Sequence, residues 1–248
     1  MHANQTVAIL DVDGTLFPGA LGVELLRELM RAKACNMAPA ERVLEILAGH
    51  RGGTIEFSSM ASRAYGAFAE ALAGRECAVI EAHARAVWAV QRERLFEFVP
   101  ALISSLRARG YSLMLISGSP LEMIRLVADG LAIGEAHGAV FTREHGRYTG
   151  TIDLSSGVPG EKARIFADAT VDRGLSLRHC FAIGDSITDA ALFERVGLAL
   201  AFEPAPELAE IAHERGWATA TQTNVLAQAI ALLDSTTAPV PNPRDLPC

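Results

Sequence analysis

Short apolar runs punctuate the chain at residues 6–11, 111–117, 179–185 and 198–202. Such runs are typical of buried parallel strands, and the first three end at a polar residue with a glycine nearby. The segments between the later runs carry apolar residues at helical spacing and end near glycine. A small β-hairpin is predicted at 139–153. This alternation predicts an α/β fold with a doubly wound parallel sheet.

The alternation breaks between the first two runs. Residues 17–97 show helical patterns and no convincing strand, and a connection of this length is too long for a plain loop. We therefore predict an all-helical cap domain, 17–97, that is inserted after the first strand and lies over the site. The core domain then comprises 1–16 and 98–234, and the Pro-rich C-terminal tail, 235–248, is expected to be weakly ordered.

Composition and charge exclude several classes of function. The 248 residues include 29 acidic and 22 basic side chains, a formal net charge of -7, and no basic block that could follow a phosphate backbone, so nucleic acid is not an expected partner. No apolar run approaches the roughly 20 residues that cross a bilayer. The N-terminus lacks the features of a signal peptide, so we expect a cytoplasmic protein. The four cysteines lie far apart and are read as free thiols.

Candidate chemistry concentrates where the first run ends, in the sequence DVDGTL. Because alternate residues of an extended chain point the same way, Asp11 and Asp13 are expected to face the site. Asp185 follows the third run, and the carboxyl ends of parallel strands share one edge of a sheet. Two carboxylates about 4 Å apart repel by roughly 4 kcal/mol at an effective dielectric of about 20. Such a cluster needs a cation, and a few oxygen ligands suit Mg²⁺.

A second pattern indicates phosphate. Only Lys33 and Lys162 are lysines among the 22 basic residues, and a compact ammonium group beside clustered carboxylates can hold a phosphate oxygen. Ser117 offers a hydroxyl, and the backbone N–H groups around Gly118 and Ser119 begin the next predicted helix. Considered alone, a serine such as Ser117 is more often a helix cap, and a lysine such as Lys162 is more often a solvated residue. Their combination predicts a phosphate-binding site beside a metal site.

Four motifs carry a family resemblance: DVDGTL, LISGSP, GEKA and GDSITDAALF. In this order and spacing they resemble the motifs of the haloacid dehalogenase (HAD) superfamily, in its Mg²⁺-dependent, phosphoserine phosphatase-like branch, subfamily IB. The match spans nearly all of the predicted sheet domain, and the helical insertion resembles the cap of those proteins. The resemblance implies a Rossmann-like HAD core and a Mg²⁺-dependent phosphomonoester hydrolase that acts through an aspartyl phosphate.

The resemblance also implies a role for each motif residue. Asp11 is expected to be the nucleophile and Asp13 the general acid and base. Asp11, the backbone carbonyl of Asp13, and Asp185 are the implied Mg²⁺ ligands, while Asp189 supports the metal site and Lys162. The predicted phosphate site, with Ser117 and Lys162, would hold the phosphoryl oxygens.

The substrate is expected to be a small phosphorylated metabolite. Phosphoserine phosphatases carry a glutamate shortly after the first motif that receives the substrate ammonium; here FPGALG occupies that region, and Glu24 lies too far along. A neutral or partly apolar phosphomonoester is therefore expected more than phosphoserine. Phe17 and Pro18 are candidate pocket residues, and Arg63 of the cap is a candidate partner for a substrate carboxylate.

Several alternatives stay open at this point. These are phosphoserine phosphatase proper, a phosphotransferase that uses the same aspartyl phosphate, and an inactive phosphate-binding or regulatory module. A haloacid dehalogenase would need neither Asp13 nor the metal. The cap aromatics Phe57, Tyr65, Phe68 and Trp88 are expected to form the core of the cap, with one of them as a possible pocket residue. A monomer or homodimer is expected.

Overall fold

A seven-stranded sheet organises residues 5–235, the part of the chain that the computed structural model describes. Apart from Ser235, the predicted tail lies outside these residues. The strands are β1 (Val7–Leu10), β2 (Ser112–Pro120), β3 (Glu135–Glu144), β4 (Arg147–Leu154), β5 (Phe181–Gly184), β6 (Leu198–Phe202) and β7 (Ala218–Ala220). The α-helices are α1 (Leu21–Arg31), α2 (Met37–Arg51), α3 (Phe57–Leu72), α4 (Cys77–Gln91), α5 (Val99–Ala108), α6 (Leu121–Gly130), α7 (Glu161–Thr170), α8 (Ile187–Phe193), α9 (Pro206–Arg215) and α10 (Val225–Ser235).

The strand order places the first motif at the centre of the sheet. The order is β4-β3-β2-β1-β5-β6-β7, and every neighbouring pair is parallel except β3 and β4. Leu10 of β1 lies beside Leu115 of β2 and Ile183 of β5. The residues that follow these three strands therefore meet at one edge, where ligands of such sheets bind. The predicted α/β doubly wound fold is confirmed.

The strands are apolar throughout because both faces of the sheet are covered. Ala8 and Leu10 of β1 pack into one apolar cluster with residues of α1, α5, α6 and α10. Val7 and Ile9, which alternate with them, pack into a second cluster with α7, α8 and α9. This alternation between two buried faces explains why the strand sequences show continuous apolar runs rather than every second position.

The insertion after β1 is helical, as predicted. Helices α1 to α4 and a short 3₁₀ turn, Arg92–Arg94, lie between β1 and α5. Buried residues of these helices, among them Val43, Phe68 and Trp88, belong to the same apolar cluster as the β1 residues Ala8 and Leu10. The apolar packing therefore continues from the sheet into the insertion, and its division into a separate domain stays a prediction.

Two features of the sheet edges extend the sequence interpretation. The predicted hairpin is confirmed as β3 and β4, which turn at His145 and Gly146, both with positive φ. Its first strand also pairs in parallel with β2, so the hairpin enlarges the main sheet. The sequence does not predict the three-residue strand β7. The segment ATA is too short, and its side chains are too small, to show an apolar strand pattern.

Two further expectations concern cysteines and membranes. Cys35, Cys77 and Cys180 are free thiols, as expected, while Cys248 lies outside the described residues. Within residues 5–235, no helix combines the length and the apolar character that crossing a bilayer requires.

We expect Phe202→Ala to destabilise the protein strongly. Phe202 is fully buried at the end of β6 and contacts the rings of Phe96 and Phe98, with centroid distances of 5.3 Å and 5.1 Å. These two rings lie where the chain returns from the insertion to α5. The substitution should lower the free energy of unfolding by about 3 to 5 kcal/mol, as measured by urea denaturation.

Val171→Ala is the matched control, because this side chain is 77% exposed. Its free energy of unfolding should stay within about 0.5 kcal/mol of the wild type. Equal losses in the two variants would contradict the packing role of Phe202.

Candidate active site at the carboxyl edge of the sheet

The backbone continues the sheet one residue beyond β1 and so fixes Asp11. The Asp11 N–H donates to the carbonyl of Ile183 at 3.1 Å, which extends the pairing of β1 with β5. The side chain of Asp11 is 3% exposed, while Val12 is fully buried in the apolar core. A carboxylate is thus held at the sheet edge by backbone pairing rather than by a mobile loop.

Three carboxylates meet at this edge. Asp11, Asp185 and Asp189 each offer an oxygen, and these oxygens lie within 4.8 Å of one another. Asp185 directly follows β5, and Asp189 lies in the first turn of α8, where it forms a capping box with Ser186. The Thr15 hydroxyl lies 3.3 Å from both Asp11 Oδ2 and Asp185 Oδ1. The strand ends that the sequence analysis grouped are therefore adjacent in space.

Gly14 leaves the room that this cluster needs. Its φ is +80°, and a Cβ at this position would lie 2.1 Å from Asp185 Oδ2. Glycine is required here both for the backbone conformation and for the close approach of the carboxylate.

Lys162 is the cation of the cluster. Its side chain is 2% exposed, and Nζ lies 2.8 Å from Asp11 Oδ1 and 2.7 Å from Asp189 Oδ1. The second oxygen of Asp189 accepts a hydrogen bond of 3.1 Å from the Ser186 N–H. Lys162 is thus buried and forms two ion pairs. The alternative interpretation of the sequence, a solvated lysine, is wrong. Asp189 is fully engaged by Lys162 and Ser186.

One ammonium group cannot neutralise three carboxylates, of which Asp11 and Asp189 are buried and Asp185 is half-buried. Burial raises the pKa of Asp185 to about 9, and the neighbouring charges of Asp11 and Asp189 add to the rise. Burial also raises the pKa values of Asp11 and of Asp189, the latter to about 6, although Lys162 opposes both shifts. The pKa of Lys162 is raised despite its burial, because Asp11 and Asp189 favour the charged form. At neutral pH the Asp185 carboxyl group therefore retains a proton that a bound cation would displace.

The residues fit a small divalent cation. The Asp185 carboxylate has one hydrogen-bond donor within residues 5–235, the hydroxyl of Thr15 at 3.3 Å, so most of its acceptor capacity is open. Asp11 and Asp185 provide hard oxygen ligands, and the excess negative charge matches a doubly charged ion. This donor set lacks nitrogen and sulfur, which favours Mg²⁺ over zinc.

Asp13 faces the insertion instead of the carboxylate cluster. Its Oδ2 accepts hydrogen bonds from the hydroxyls of Ser117, at 2.8 Å, and Ser119, at 2.6 Å. Its Oδ1 accepts from the N–H of Leu21 at 2.7 Å, and the Ser119 hydroxyl also accepts from the N–H of Gly22. Asp13 therefore ties the N-terminus of α1 to the end of β2. Oδ1, which carries a single hydrogen bond, retains a second acceptor position.

Tyr65 connects α3 to the same edge. Its hydroxyl donates to the carbonyl of Gly118 at 2.7 Å and accepts from the N–H of Gly157 at 2.8 Å. Burial raises the pKa of Tyr65 to about 12, so the hydroxyl stays neutral. A Cβ at Gly157 would lie 2.4 Å from this hydroxyl. From the sequence, Tyr65 is expected in the core of the cap or, as one of four aromatic residues, in the pocket, and no local signal in the sequence distinguishes the two positions.

A cavity of about 280 Å³ lies between the sheet edge and the inserted helices. Asp11, Asp13 and Lys162 form its floor, together with Gly118 and Ser119. Its walls come mainly from α1, α2 and α3 and include the predicted core aromatics Phe57 and Phe68, besides Tyr65. Trp88 is buried in the apolar core, as expected.

Three predicted pocket residues do not line this cavity, and those predictions are corrected here. Gly14 N–H bonds to the Phe17 carbonyl at 2.8 Å, and this tight turn directs the Phe17 ring into the core, where it is fully buried. Pro18 follows at the exposed surface, and Arg63 lies on the exposed side of α3. Ser117 is fully buried, and its hydrogen is directed to Asp13.

Comparison with known proteins identifies relatives of this arrangement. A family model described as haloacid dehalogenase-like hydrolase matches residues 8–194, most of the chain. A putative hydrolase of Mycobacterium leprae is 34% identical over 110 residues, which cover 44% of this chain and 36% of that protein. A phosphoserine phosphatase of Archaeoglobus fulgidus is 31% identical over 121 residues, which cover 49% of this chain and 35% of that protein. The chain thus spans little more than a third of the length of these relatives.

A solved structure shows the same fold. It is a protein of unknown function from Bordetella pertussis Tohama I, which superposes with a TM-score of 0.75 at 22% identity. The similarity covers 89% of this chain and 100% of that chain, so the helical insertion and the sheet occur together in another protein.

We expect Asp185→Asn to change two properties of the protein: the pH dependence of its free energy of unfolding and its stabilisation by Mg²⁺. The raised pKa means that the folded wild type retains a proton which the unfolded chain releases. Without metal, the free energy of unfolding of the wild type should therefore fall by up to roughly 1 kcal/mol for each unit by which the pH rises, between pH about 4 and about 9. The variant should lose much of this pH dependence, and it should not gain the stabilisation that we expect millimolar MgCl₂ to give the wild type. Denaturant unfolding across this pH range, with and without MgCl₂, provides the measurement, and equal stabilisation of both proteins by MgCl₂ would contradict the assignment.

We expect Tyr65→Phe to release the loop at Gly157. The variant leaves the Gly157 N–H without its partner, so hydrogen exchange at this amide should accelerate, and the free energy of unfolding should fall by about 1 to 2 kcal/mol. Tyr111→Phe is the matched control, because the Tyr111 hydroxyl donates to a carbonyl, that of His179, at 2.8 Å away from the site. The control should lose similar stability without faster exchange at Gly157. Unchanged exchange in both variants would refute the connection.

Proposed function

Because the chain belongs to the haloacid dehalogenase-like hydrolase family, we propose that it is a Mg²⁺-dependent phosphatase that hydrolyses small phosphate monoesters through an aspartyl phosphate on Asp11. The observation that carries this proposal is the position of Asp11. It is a buried carboxylate that is fixed by β1, paired with Lys162 and present on the floor of the cavity.

In the first step, an oxygen of Asp11 attacks phosphorus and the bond from phosphorus to the ester oxygen breaks. Asp13 donates a proton to the departing oxygen, so the alcohol leaves neutral. The three hydrogen bonds from Leu21, Ser117 and Ser119 hold the Asp13 carboxyl group in place. Both aspartates line the same cavity, which supports their action on one substrate.

In the second step, Asp13 accepts a proton from a water molecule, and the water oxygen attacks the phosphorus of the aspartyl phosphate. The bond between phosphorus and the Asp11 oxygen breaks, inorganic phosphate is released and the Asp11 carboxylate is restored. The presence of a second aspartate two residues after the nucleophile favours this chemistry over dehalogenation, which has no need for an acid at this position.

Positive charge on the floor supports binding of the phosphoryl group. The Lys162 ammonium and the Gly118 backbone N–H are expected to bind its oxygens. The Ser119 N–H, which the sequence placed at the start of a helix, lies in β2 and already donates to the Ser117 hydroxyl at 3.1 Å. Ser117 contributes chiefly by holding Asp13, since its hydrogen is already donated there.

Asp11 and Asp185, with the Asp13 backbone carbonyl, would hold the Mg²⁺ ion, and Asp189 would support the site through Lys162. When bound, the ion supplies positive charge that offsets the phosphate and carboxylate charges.

The partner is proposed to be a small molecule. The cavity of about 280 Å³ is small by the standards of ligand sites, which supports a compact ester. The matched phosphoserine phosphatase of Archaeoglobus fulgidus supports the class of phosphate monoesters.

We expect Mg²⁺-dependent phosphate release that Asp11→Asn abolishes. Removal of the nucleophile should lower kcat by at least about a thousandfold, and EDTA should suppress the wild-type rate. The measurement is phosphate release from p-nitrophenyl phosphate and a panel of phosphomonoesters, together with detection of phosphoryl-Asp11 in acid-quenched protein.

Asp168→Asn is the control, since Asp168 lies on the exposed side of α7 and pairs with Arg164. It should retain the wild-type rate. A variant at Asp11 that still releases phosphate at the wild-type rate would refute the proposal, and transfer of the phosphoryl group to an added alcohol in preference to water would identify a phosphotransferase instead.

A further inference from the structure

The cavity above the phosphoryl site has an apolar wall. Within the described part of the chain, the ionisable acidic and basic side chains that line the cavity are Asp11, Asp13 and Lys162, apart from the neutral phenol of Tyr65, and all three belong to the floor. The side chains that face the organic part of a substrate include Val43, Leu47, Phe57, Met60, Phe68 and Phe141.

The charged groups of the floor are already engaged. Lys162 lies between Asp11 and Asp189, and Asp13 accepts three hydrogen bonds from its neighbours. Among the inserted helices, as far as the described residues go, Tyr65 carries the hydroxyl that lines the cavity, and it is bonded on both sides. The hydroxyls of Ser186 and Thr188 at the start of α8 also line the cavity and are hydrogen-bonded to each other at 2.8 Å. These groups serve the phosphoryl end, so an ammonium or a carboxylate farther out on the substrate would find no counter-charge.

Charged residues of the nearby helices point elsewhere. Glu24 of α1 accepts hydrogen bonds from Arg27 at 3.2 Å and Gln91 at 3.3 Å, on a surface groove outside this cavity. Arg63 of α3 is exposed and does not line the cavity. The two side chains of these helices that could have received the ends of a phosphoamino acid are therefore directed away from it.

We propose that the site selects phosphate monoesters of uncharged, apolar alcohols or phenols and discriminates against zwitterionic esters such as phosphoserine. This inference rests on the proposed function and specifies its substrate class. Binding of a charged group in the cavity without a partner is strongly disfavoured, whereas each apolar group that moves from water into the cavity makes the free energy of binding more favourable. The volume of about 280 Å³ accommodates a short alkyl chain or one aromatic ring rather than a long lipid.

The first test compares kcat/KM across methyl, ethyl, propyl, butyl and phenyl phosphate, with phosphoethanolamine and phosphoserine as charged esters. For the alkyl series, kcat/KM should rise about threefold to fourfold with each methylene that enters the cavity. Butyl and phenyl phosphate should exceed both charged esters by at least about tenfold. A preference for phosphoserine or phosphoethanolamine over butyl phosphate would overturn the inference while leaving the phosphatase proposal intact.

The second test introduces a counter-charge into the wall. Leu47 of α2 is half-buried and lines the cavity, while its neighbour Ala48 is exposed on the outer side of the same helix. Leu47→Glu should shift the ratio of kcat/KM for butyl phosphate to that for phosphoethanolamine by at least about tenfold toward the amine. Ala48→Glu adds the same charge outside the cavity and should leave this ratio unchanged. Because a ratio is measured, a general loss of active protein does not affect the result, and equal shifts in the two variants would overturn the inference.

A binding measurement separates this inference from the proposed function. Calorimetry in the presence of MgCl₂ compares butylphosphonate with aminoethylphosphonate on the wild-type protein, and neither probe can be hydrolysed. Binding of butylphosphonate at least about tenfold tighter supports the apolar site even if no ester releases phosphate, in which case only the phosphatase proposal fails. Tighter binding of aminoethylphosphonate, or binding of neither probe, overturns the inference.

Discussion

The ion pairs of Lys162 with Asp11 and Asp189 are the interaction on which the site depends. Parallel strands bring carboxylates to one edge of the sheet, and burial there strongly disfavours their ionised forms. Lys162, itself 2% exposed, lies within hydrogen-bonding distance of two of them. A buried ammonium without those carboxylates, or the carboxylates without the ammonium, would be strongly destabilising. Among residues 5–235, Asp185 forms no ion pair with a basic side chain, which leaves this carboxylate open to a metal ion.

A second constraint couples the helical insertion to the floor of the cavity through hydrogen bonds to which the insertion contributes only uncharged groups. The N-terminus of α1 is bonded to Asp13 and Ser119, and α3 reaches the loops at Gly118 and Gly157 through Tyr65. These contacts lie at the floor of the cavity. The insertion therefore approaches the reacting groups without adding charge, and its remaining surface can be apolar.

The proposed reaction and the proposed substrate selectivity depend on different parts of the chain. The proposed chemistry depends on residues that follow the central strands, among them Asp11, Asp13 and Asp185. The inserted helices supply the walls, and these differ from what a phosphoamino acid would require, since Glu24 and Arg63 point away from the cavity. When the sheet domain is kept and the inserted helices differ, the same reaction can act on different substrates.

The sequence by itself determined the central strands, the helical character of the insertion and the grouping of Asp11 with Asp185. Continuous apolar runs, and carboxylates at their ends, are local features that a parallel sheet must bring together. Only the tertiary structure decided which side chains reach the cavity. Phe17 turns into the core because of a tight turn at Gly14, and Tyr65 enters the site because α3 packs across the sheet edge. Such positions depend on turn geometry and long-range packing, which an apolar pattern does not encode.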